Sequence, residues 1–510
     1  MNIAFISWDN TSQIYPIRVL STILYQSNHR IKIILPMLNL KIGSDANKVG
    51  LDEKRLQGML DLIQDCDIVG LSFFSVHAHM AKVVALQIKK RFSEKVIISG
   101  GIHASLCPND VLEYSDYVCV GEGEKSLLEF VETVSFGHNR GGVQGVFSKE
   151  HDNGFHASSV AVENLDEVPL PMFFFNETFV YLDDCKGWVT RDPSMIIPVN
   201  DKGEAANSYY VFPDRGCARS CTYCCRPKMK ELSGYKKIRK RSVENVIMEL
   251  QDAKENIPNM QKVFVYSDDF LCWRMSELEE FTRLYVEKIG LQFSFLLTPA
   301  SFREDKTDVL LQSGLVSSIG MGIQTGSQRI RKIYNRKESN EKIIKTTQQL
   351  KKLSKKHKFI LAYDFIIDSP WENDNDKLLT LKLICQIPKP FCIELFTLTF
   401  YPGTKLYDTA IEDGILNESA YYDQMGNYVN NKLRISSKET DSYIRICKLC
   451  STIKIPFFVA RLFYRYRIAL PRRFVIFMEI WAKHKMQYNS LSFIPVFCKF
   501  IFHKLYRIIS

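Results

Sequence analysis

Apolar residues in the first 140 positions fall in short runs, separated by stretches in which they recur every three or four residues. The runs predict strands buried on both faces, and the wider spacing predicts amphipathic helices. Strands are expected at 2–7, 31–35, 67–74, 95–99 and 117–120, and helices near 17–26, 79–92 and 126–134. Strands that alternate with helices imply a parallel, doubly wound sheet. From 141 to 205 the alternation lapses into a connector containing Asn164-Leu165-Asp166-Glu167-Val168-Pro169-Leu170-Pro171, whose prolines favour extended chain. The alternation returns over 206–410. Strands are expected at 209–212, 262–266, 292–298, 316–323, 359–367 and 392–400, and helices near 242–256, 306–313, 340–356 and 376–386. Ser276 and Glu279 are spaced as a capping box for one more helix. Six strand–helix units fit an open (β/α)6 partial barrel, whose chemistry lies at the C-terminal ends of its strands.

Length and composition narrow the class. A chain of 510 residues, 46% hydrophobic and 24% charged, is globular and holds two or three domains. Fourteen cysteines are too dilute for a disulfide scaffold. The opening MNIAFISWDN has neither a basic segment nor a long apolar run, so no signal peptide is expected. No uninterrupted apolar stretch of about 18 residues is present, so no spanning helix is expected. The net charge of +10 is uneven: from Lys432 onward there are 16 Lys/Arg against 3 Asp/Glu, a balance of +13, so the other 431 residues sum to −3. Basic character therefore belongs to the tail, which argues against nucleic acid as a partner of the whole chain.

The densest chemistry is the loop Cys217-Ala218-Arg219-Ser220-Cys221-Thr222-Tyr223-Cys224, spaced C-x3-C-x2-C. Three thiolates this close can hold three corners of a cubane [4Fe–4S] cluster and leave the fourth iron for a non-protein ligand. A reducing cytoplasm is the setting that fits an iron–sulfur protein. Structural zinc sites take four protein ligands, usually in two separated pairs. Bacterial ferredoxins use C-x2-C-x2-C instead. Free cysteines are otherwise often buried small hydrophobes, but this loop is polar and carries Gly216, Arg215 and Arg226. Cys225 is read as a bystander, and the lone C-x2-C of Cys447 and Cys450 as structural.

The three-cysteine loop resembles that of the radical S-adenosylmethionine (SAM) superfamily. Val69–Ser75 (VGLSFFS), Ser99–Ser105 (SGGIHAS) and Val120–Glu124 (VGEGE) resemble the cobalamin-binding domain that precedes many radical SAM enzymes. The resemblance covers residues 1–410. It implies a Rossmann-like cobalamin-binding domain at 1–140, a linker at 141–205, a radical SAM core of partial TIM-barrel type at 206–410, and a helical, basic, aromatic C-terminal region at 411–510. Cluster ligands would be Cys217, Cys221 and Cys224, with Tyr223 beside the cluster or the adenine. SAM would be held by Asp268 and Asp269, which follow the second barrel strand, and by Gln324 and Thr325, where relatives often carry Glu at the first position. Cobalamin would lie against Ser72, Ser75, Gly100, Gly101, His103, Gly121, Glu122 and Gly123. The Asp-x-His-x-x-Gly motif that supplies a lower cobalt ligand is absent, and His77, His79 and His103 do not stand in its pattern. Asp364–Glu372 (DFIIDSPWE) resembles a Gly-x-Pro-Gly-Glu element with Asp368 and Trp371 in place of glycines, and Phe400–Thr404 (FYPGT) matches the turn at the barrel end.

The implied activity is that of the class B methylases. A reduced cluster cleaves SAM to a 5′-deoxyadenosyl radical, a hydrogen is abstracted from an unactivated carbon, and methylcobalamin delivers a methyl group. Two other readings stay open: a cyclase or rearrangement enzyme of the same architecture, and a non-catalytic partner protein that retains the fold. The expected partners are a small-molecule or lipid-like substrate and a reductant such as flavodoxin or ferredoxin. The basic, aromatic tail reads either as a helical cap with solvated cations or as an interfacial element, peripheral to an anionic membrane.

Overall fold

A computed structural model describes residues 1–8, 14–36, 52–136, 142–150, 161–173, 175, 177–182, 186–190, 208–257, 260–416, 438–468 and 470–488. The chain forms two compact units, Met1–Ser267 with Thr399–Arg434, and Asp268–Leu398 with Ile435–Ser510.

In the first unit eight strands make one sheet. They are β1 (Asn2–Ser7), β2 (Arg30–Leu35), β3 (Ile68–Ser72), β4 (Val96–Gly100), β5 (Tyr117–Cys119), β6 (Val146–Phe147), β7 (Thr178–Leu182) and β8 (Gly187–Thr190), in the order β6-β5-β4-β3-β1-β2-β7-β8. Pairing is parallel from β5 through β7, and the edge pairs β5–β6 and β7–β8 are antiparallel. Alternate residues of β1 serve two cores: Ala4 and Ile6 pack with Val69, Leu71 and Ile97 on one face, Ile3 and Phe5 with Ile33, Ile68 and Ile98 on the other. Burial on both faces explains why these strands read as continuous apolar runs.

The connector span contributes β6, β7 and β8, so the sheet extends beyond position 140. The helices Glu53–Leu62, Ile102–Leu106 and Pro108–Leu112 also went unread. The last two are only five residues each, too short to display a helical period.

The same unit contains β9 (Ser208–Val211), the two-stranded antiparallel hairpin β10 (Asp214–Arg215) with β11 (Arg239–Lys240), and β12 (Lys262–Val265), which pairs in parallel with β9. The second unit holds β13 (Gln292–Leu297), β14 (Val316–Gln324), β15 (Ile360–Ile367) and β16 (Cys392–Thr397), paired in parallel in that order. All six strands expected for the barrel are present. The capping box is displaced: the helix Met275–Leu284 starts two residues earlier, with the Arg274 N–H donating to Glu277 Oε2 at 2.7 Å.

Among the described residues of the tail, three helices follow: Lys438–Thr452, Phe457–Arg465 and Arg472–Tyr488. The first is tied to the strand layer by the Phe391 N–H, which donates to Ser451 O at 3.0 Å, and Tyr443 Oη donates to Lys377 O at 3.1 Å. Cys447 and Cys450 are fully buried on this helix, in keeping with a structural role. The apolar–basic run 493–509 lies outside the described residues.

Candidate functional site

The first unit brings together the ends of β3, β4 and β5 and the cysteine loop. Ser72 and Gly100 are register partners at the C-terminal ends of β3 and β4. Gly101 has φ +91°, and a Cβ there would meet Phe73 O at 3.1 Å, so only glycine fits this turn. Ser105 Oγ donates to Gly101 O and accepts from the Gly121 N–H, both at 2.9 Å, which joins two of the glycine turns. Sequence reasoning did not single out Ser105, although it closes the segment Ser99–Ser105. His103 is fully buried, with Nδ1 3.0 Å from Ser75 Oγ and Nε2 3.3 Å from Asp110 Oδ2. Both ring nitrogens are thus engaged inside the protein, and the ring braces the turn instead of standing free as an axial ligand. Ser75 is buried with it, while Ser72, Gly100, Gly121, Glu122 and Gly123 are half-buried and Gly101 is exposed.

The cysteine loop leaves β10 through Gly216, whose φ of +108° again suits only glycine. The Cys224 N–H donates to Cys221 O at 3.2 Å and closes a tight turn. The Arg219 N–H points at Cys217 Sγ (3.4 Å) and the Arg226 N–H at Cys224 Sγ (3.5 Å). Amide donors of this kind stabilise a thiolate and tune an iron–sulfur potential. Cys217, Cys221 and Cys224 are not disulfide-bonded, Cys221 buried and the other two half-buried. Among the described residues no three His, Cys, Asp or Glu side chains converge as ligands of one ion. Three thiolates that each take a different iron of a cube need not converge, so the donor set fits a cubane cluster. Tyr223 is half-buried within the loop. The base of the loop is held by Ser267 Oγ, which donates to buried Asp214 Oδ2 at 2.7 Å. Its middle is held by the Leu406 N–H, which donates to Thr222 O at 2.9 Å. Gly403, in the expected barrel-end turn, has φ +73°, and a Cβ there would lie 2.9 Å from Leu106 Cβ.

In the second unit Asp268 is half-buried, but Asp269 is buried and accepts from Thr298 Oγ1 at 3.0 Å. Gln324 ends β14 at φ +72°, beyond a register shift between Gly322 and Gln324. Its carboxamide folds over Gly322, where an added Cβ would sit 2.6 Å from Gln324 Nε2. Thr325 is fully buried, with its hydroxyl 3.1 Å from that of Thr380 and accepting from the Ser327 N–H. Of these four, Asp268 and Gln324 are half-buried, and Thr325 and Asp269 are turned inward. Asp368 adopts φ +59°, so the chain keeps a glycine-type backbone where the family element carries glycine; Asp is among the few residues that tolerate this region.

Asp364 on β15 is the register partner of Glu394 on β16. Burial, with the Glu394 charge adding to it, pushes the Asp364 carboxyl up to about 7. Between about pH 4 and 7 the native state therefore holds a proton that the unfolded chain has released, and stability falls as pH rises through this window. Asp364→Asn is expected to flatten that slope, so thermal melts of variant and wild type should diverge from pH 4 to 7 and run parallel above it. Equal slopes would show that Asp364 ionises normally.

A parallel sheet with glycine and serine strand ends, and a strand–helix repeat that opens on three closely spaced cysteines, are the features expected of an iron–sulfur enzyme with a ligand-binding domain. Comparison with known proteins agrees. Residues 15–131 match the B12 binding domain and residues 211–384 the radical SAM superfamily. An uncharacterised methyltransferase of Pyrococcus horikoshii is 24% identical over 359 residues, covering 69% of this chain and 71% of that protein. The bacteriochlorophyllide d C-8(2)-methyltransferase of Chlorobaculum tepidum is 23% identical over 361 residues, covering 69% and 70%. The cobalamin-dependent S-adenosylmethionine radical enzyme OxsB, solved with aqua-cobalamin and S-adenosylmethionine, superposes with TM-score 0.62 at 14% identity, covering 96% of this chain and 72% of OxsB. The chain therefore carries a B12 binding domain followed by a radical SAM domain, the combination found in cobalamin-binding radical SAM enzymes. It is a methyltransferase-like enzyme, and its cofactors are a [4Fe–4S] cluster, SAM and cobalamin.

Proposed function

We propose that this enzyme methylates an unactivated carbon of a small or lipid-like substrate, with Cys217, Cys221 and Cys224 as the cluster ligands. The observation that carries this reading is that the amide-capped thiol loop shares one compact unit with the glycine–serine strand ends of the B12 domain. Bound at these positions, the cluster with SAM supplies a 5′-deoxyadenosyl radical and cobalamin supplies the methyl group. The chain's own work is placement. The Arg219 and Arg226 amides fix two thiolates, Asp268 offers an anion to the SAM ammonium, and the Gln324 carboxamide offers hydrogen bonds to a ribose. The glycines at 100, 101, 121 and 123 admit the cobalamin tail. A low-potential one-electron donor is required to begin each turnover.

The test is anaerobic reconstitution with iron, sulfide and cobalamin, followed by SAM carrying a deuterated methyl group, a reductant and candidate substrates drawn from lipid and small-molecule extracts. The expected result is bound cobalamin, 5′-deoxyadenosine and a product heavier by the labelled methyl. 5′-Deoxyadenosine with a rearranged but unlabelled product would replace methylation by the cyclase reading.

The tail favours a lipid surface as its partner. No helix among the described residues is long and apolar enough to cross a membrane. Yet Phe458, Leu462 and Tyr466 are 66%, 46% and 69% exposed, and Phe474, Ile476 and Ile480 are each more than 40% exposed. Phe458, Arg461, Leu462 and Arg465 recur at helical spacing, so apolar and cationic side chains share one face, all of them exposed. Such a face suits an anionic bilayer. Vesicles containing anionic phospholipid should carry the protein upward in a flotation gradient at low salt. Zwitterionic vesicles, and the variant Phe458→Glu/Leu462→Glu on anionic ones, should not. Equal partitioning of wild type and variant would sink the membrane reading.

A further inference from the structure

Glu122 lies in the VGEGE segment expected to face cobalamin, but its carboxylate is turned to the cysteine hairpin. Oε2 is 3.0 Å from Arg215 Nη1 and 3.0 Å from Arg239 Nη1, and it also accepts from the Val162 N–H at 3.1 Å. Oε1 pairs with Arg239 Nη2. Glu124 completes the group, with Oε1 2.5 Å from Arg215 Nη2. Arg215 and Arg239 are register partners in the β10–β11 hairpin, and Arg215 is two residues ahead of Cys217. The carbonyl of Val162 accepts from Arg239, so the connector closes the same knot. Burial alone would raise the Glu122 carboxyl, but the hydrogen bond from Arg239 and the charges of Arg215 and Arg239 outweigh it and hold the group below its ordinary value. It is a carboxylate, and two carboxylates face two guanidiniums.

We propose that Glu122 is a positioning residue of the B12 domain that anchors the cluster-bearing hairpin and neutralises its arginines, so that it helps to set the cluster potential. The proposal rests on the reading of Cys217, Cys221 and Cys224 as the cluster ligands. Reduction adds an electron to the cluster, and nearby negative charge disfavours it while positive charge favours it. Through a partly buried site the effect is only weakly screened. Acting on the same hairpin, Glu122 and Arg239 must therefore have opposite signs.

The experiment is an EPR-monitored redox titration of the reconstituted cluster in wild type, Glu122→Gln, Glu124→Gln, Arg239→Gln and the double variant Glu122→Gln/Arg239→Gln. Cobalamin affinity is measured alongside by absorbance titration. Both Glu variants are expected to shift the midpoint upward, Arg239→Gln downward, and the double variant back toward wild type, with iron content and cobalamin affinity little changed. A merely structural role would give shifts of one sign, or loss of iron in every variant. If Glu122→Gln weakens cobalamin binding and leaves the potential in place, Glu122 is a ligand contact and the proposal is overturned. An unchanged potential with unchanged cobalamin affinity overturns it as well. Failure of the underlying reading looks different: Cys221→Ala would then carry the same cluster signal as wild type.

Discussion

Cys221→Ala is expected to abolish the reduced-cluster signal and SAM cleavage together, while the fold survives. Each of the three thiols would hold one iron, and Cys221 is the buried member, at 6% exposure, whose carbonyl closes the turn to Cys224. Removing one of three ligands would leave an iron with no protein donor. Neighbouring Cys225 stands at the N-cap of the helix Arg226–Ser233 and faces the opposite consequence: Cys225→Ala should retain iron and activity. Truncating one small side chain in a loop at the strand ends costs little stability, within about 1 kcal/mol. Iron and sulfide content, the EPR signal and 5′-deoxyadenosine yield should fall together in Cys217→Ala, Cys221→Ala and Cys224→Ala, with unchanged far-UV circular dichroism. Full activity in any of the three would remove that cysteine from the ligand set.

The largest stability effect is expected at Glu249. Its carboxylate is completely buried on the helix Val243–Asn256, accepting from Tyr209 Oη on β9 at 2.7 Å and from Arg241 Nη1 at 2.5 Å. Arg241 is 7% exposed and its other donors reach Asn245 Oδ1 and Asn245 O. Glu249→Ala strands a guanidinium and a phenol without their acceptor, and breaking a buried pair on one side costs roughly 3–5 kcal/mol. Glu249→Gln keeps an acceptor for Tyr209 and should fall between alanine and wild type. Urea unfolding of the apoprotein measures both. A loss below about 1 kcal/mol for Glu249→Ala would mean that water reaches Arg241.

Much of the chemistry was legible because it is local in the chain. The three cysteines proposed as cluster ligands fall within eight residues, and the glycine turns follow apolar runs whose ends mark the ligand side of a parallel sheet. Side-chain direction was not legible. Thr325 and Asp269 stand at the right strand ends, yet one packs against Thr380 and the other accepts from Thr298. Asp368 departs from the family's glycine, and only the backbone shows that the left-handed turn persists.

By itself, then, the sequence determined the order of the central strands, their parallel pairing and the close spacing of three cysteines in one loop, since each follows from periodicity and spacing over a few residues. The tertiary structure alone decided that edge strands in the connector complete the first sheet, that His103 is a brace, and that Glu122 meets Arg239. The last two residues are 117 positions apart, and no local pattern encodes a contact made by chain closure over that distance.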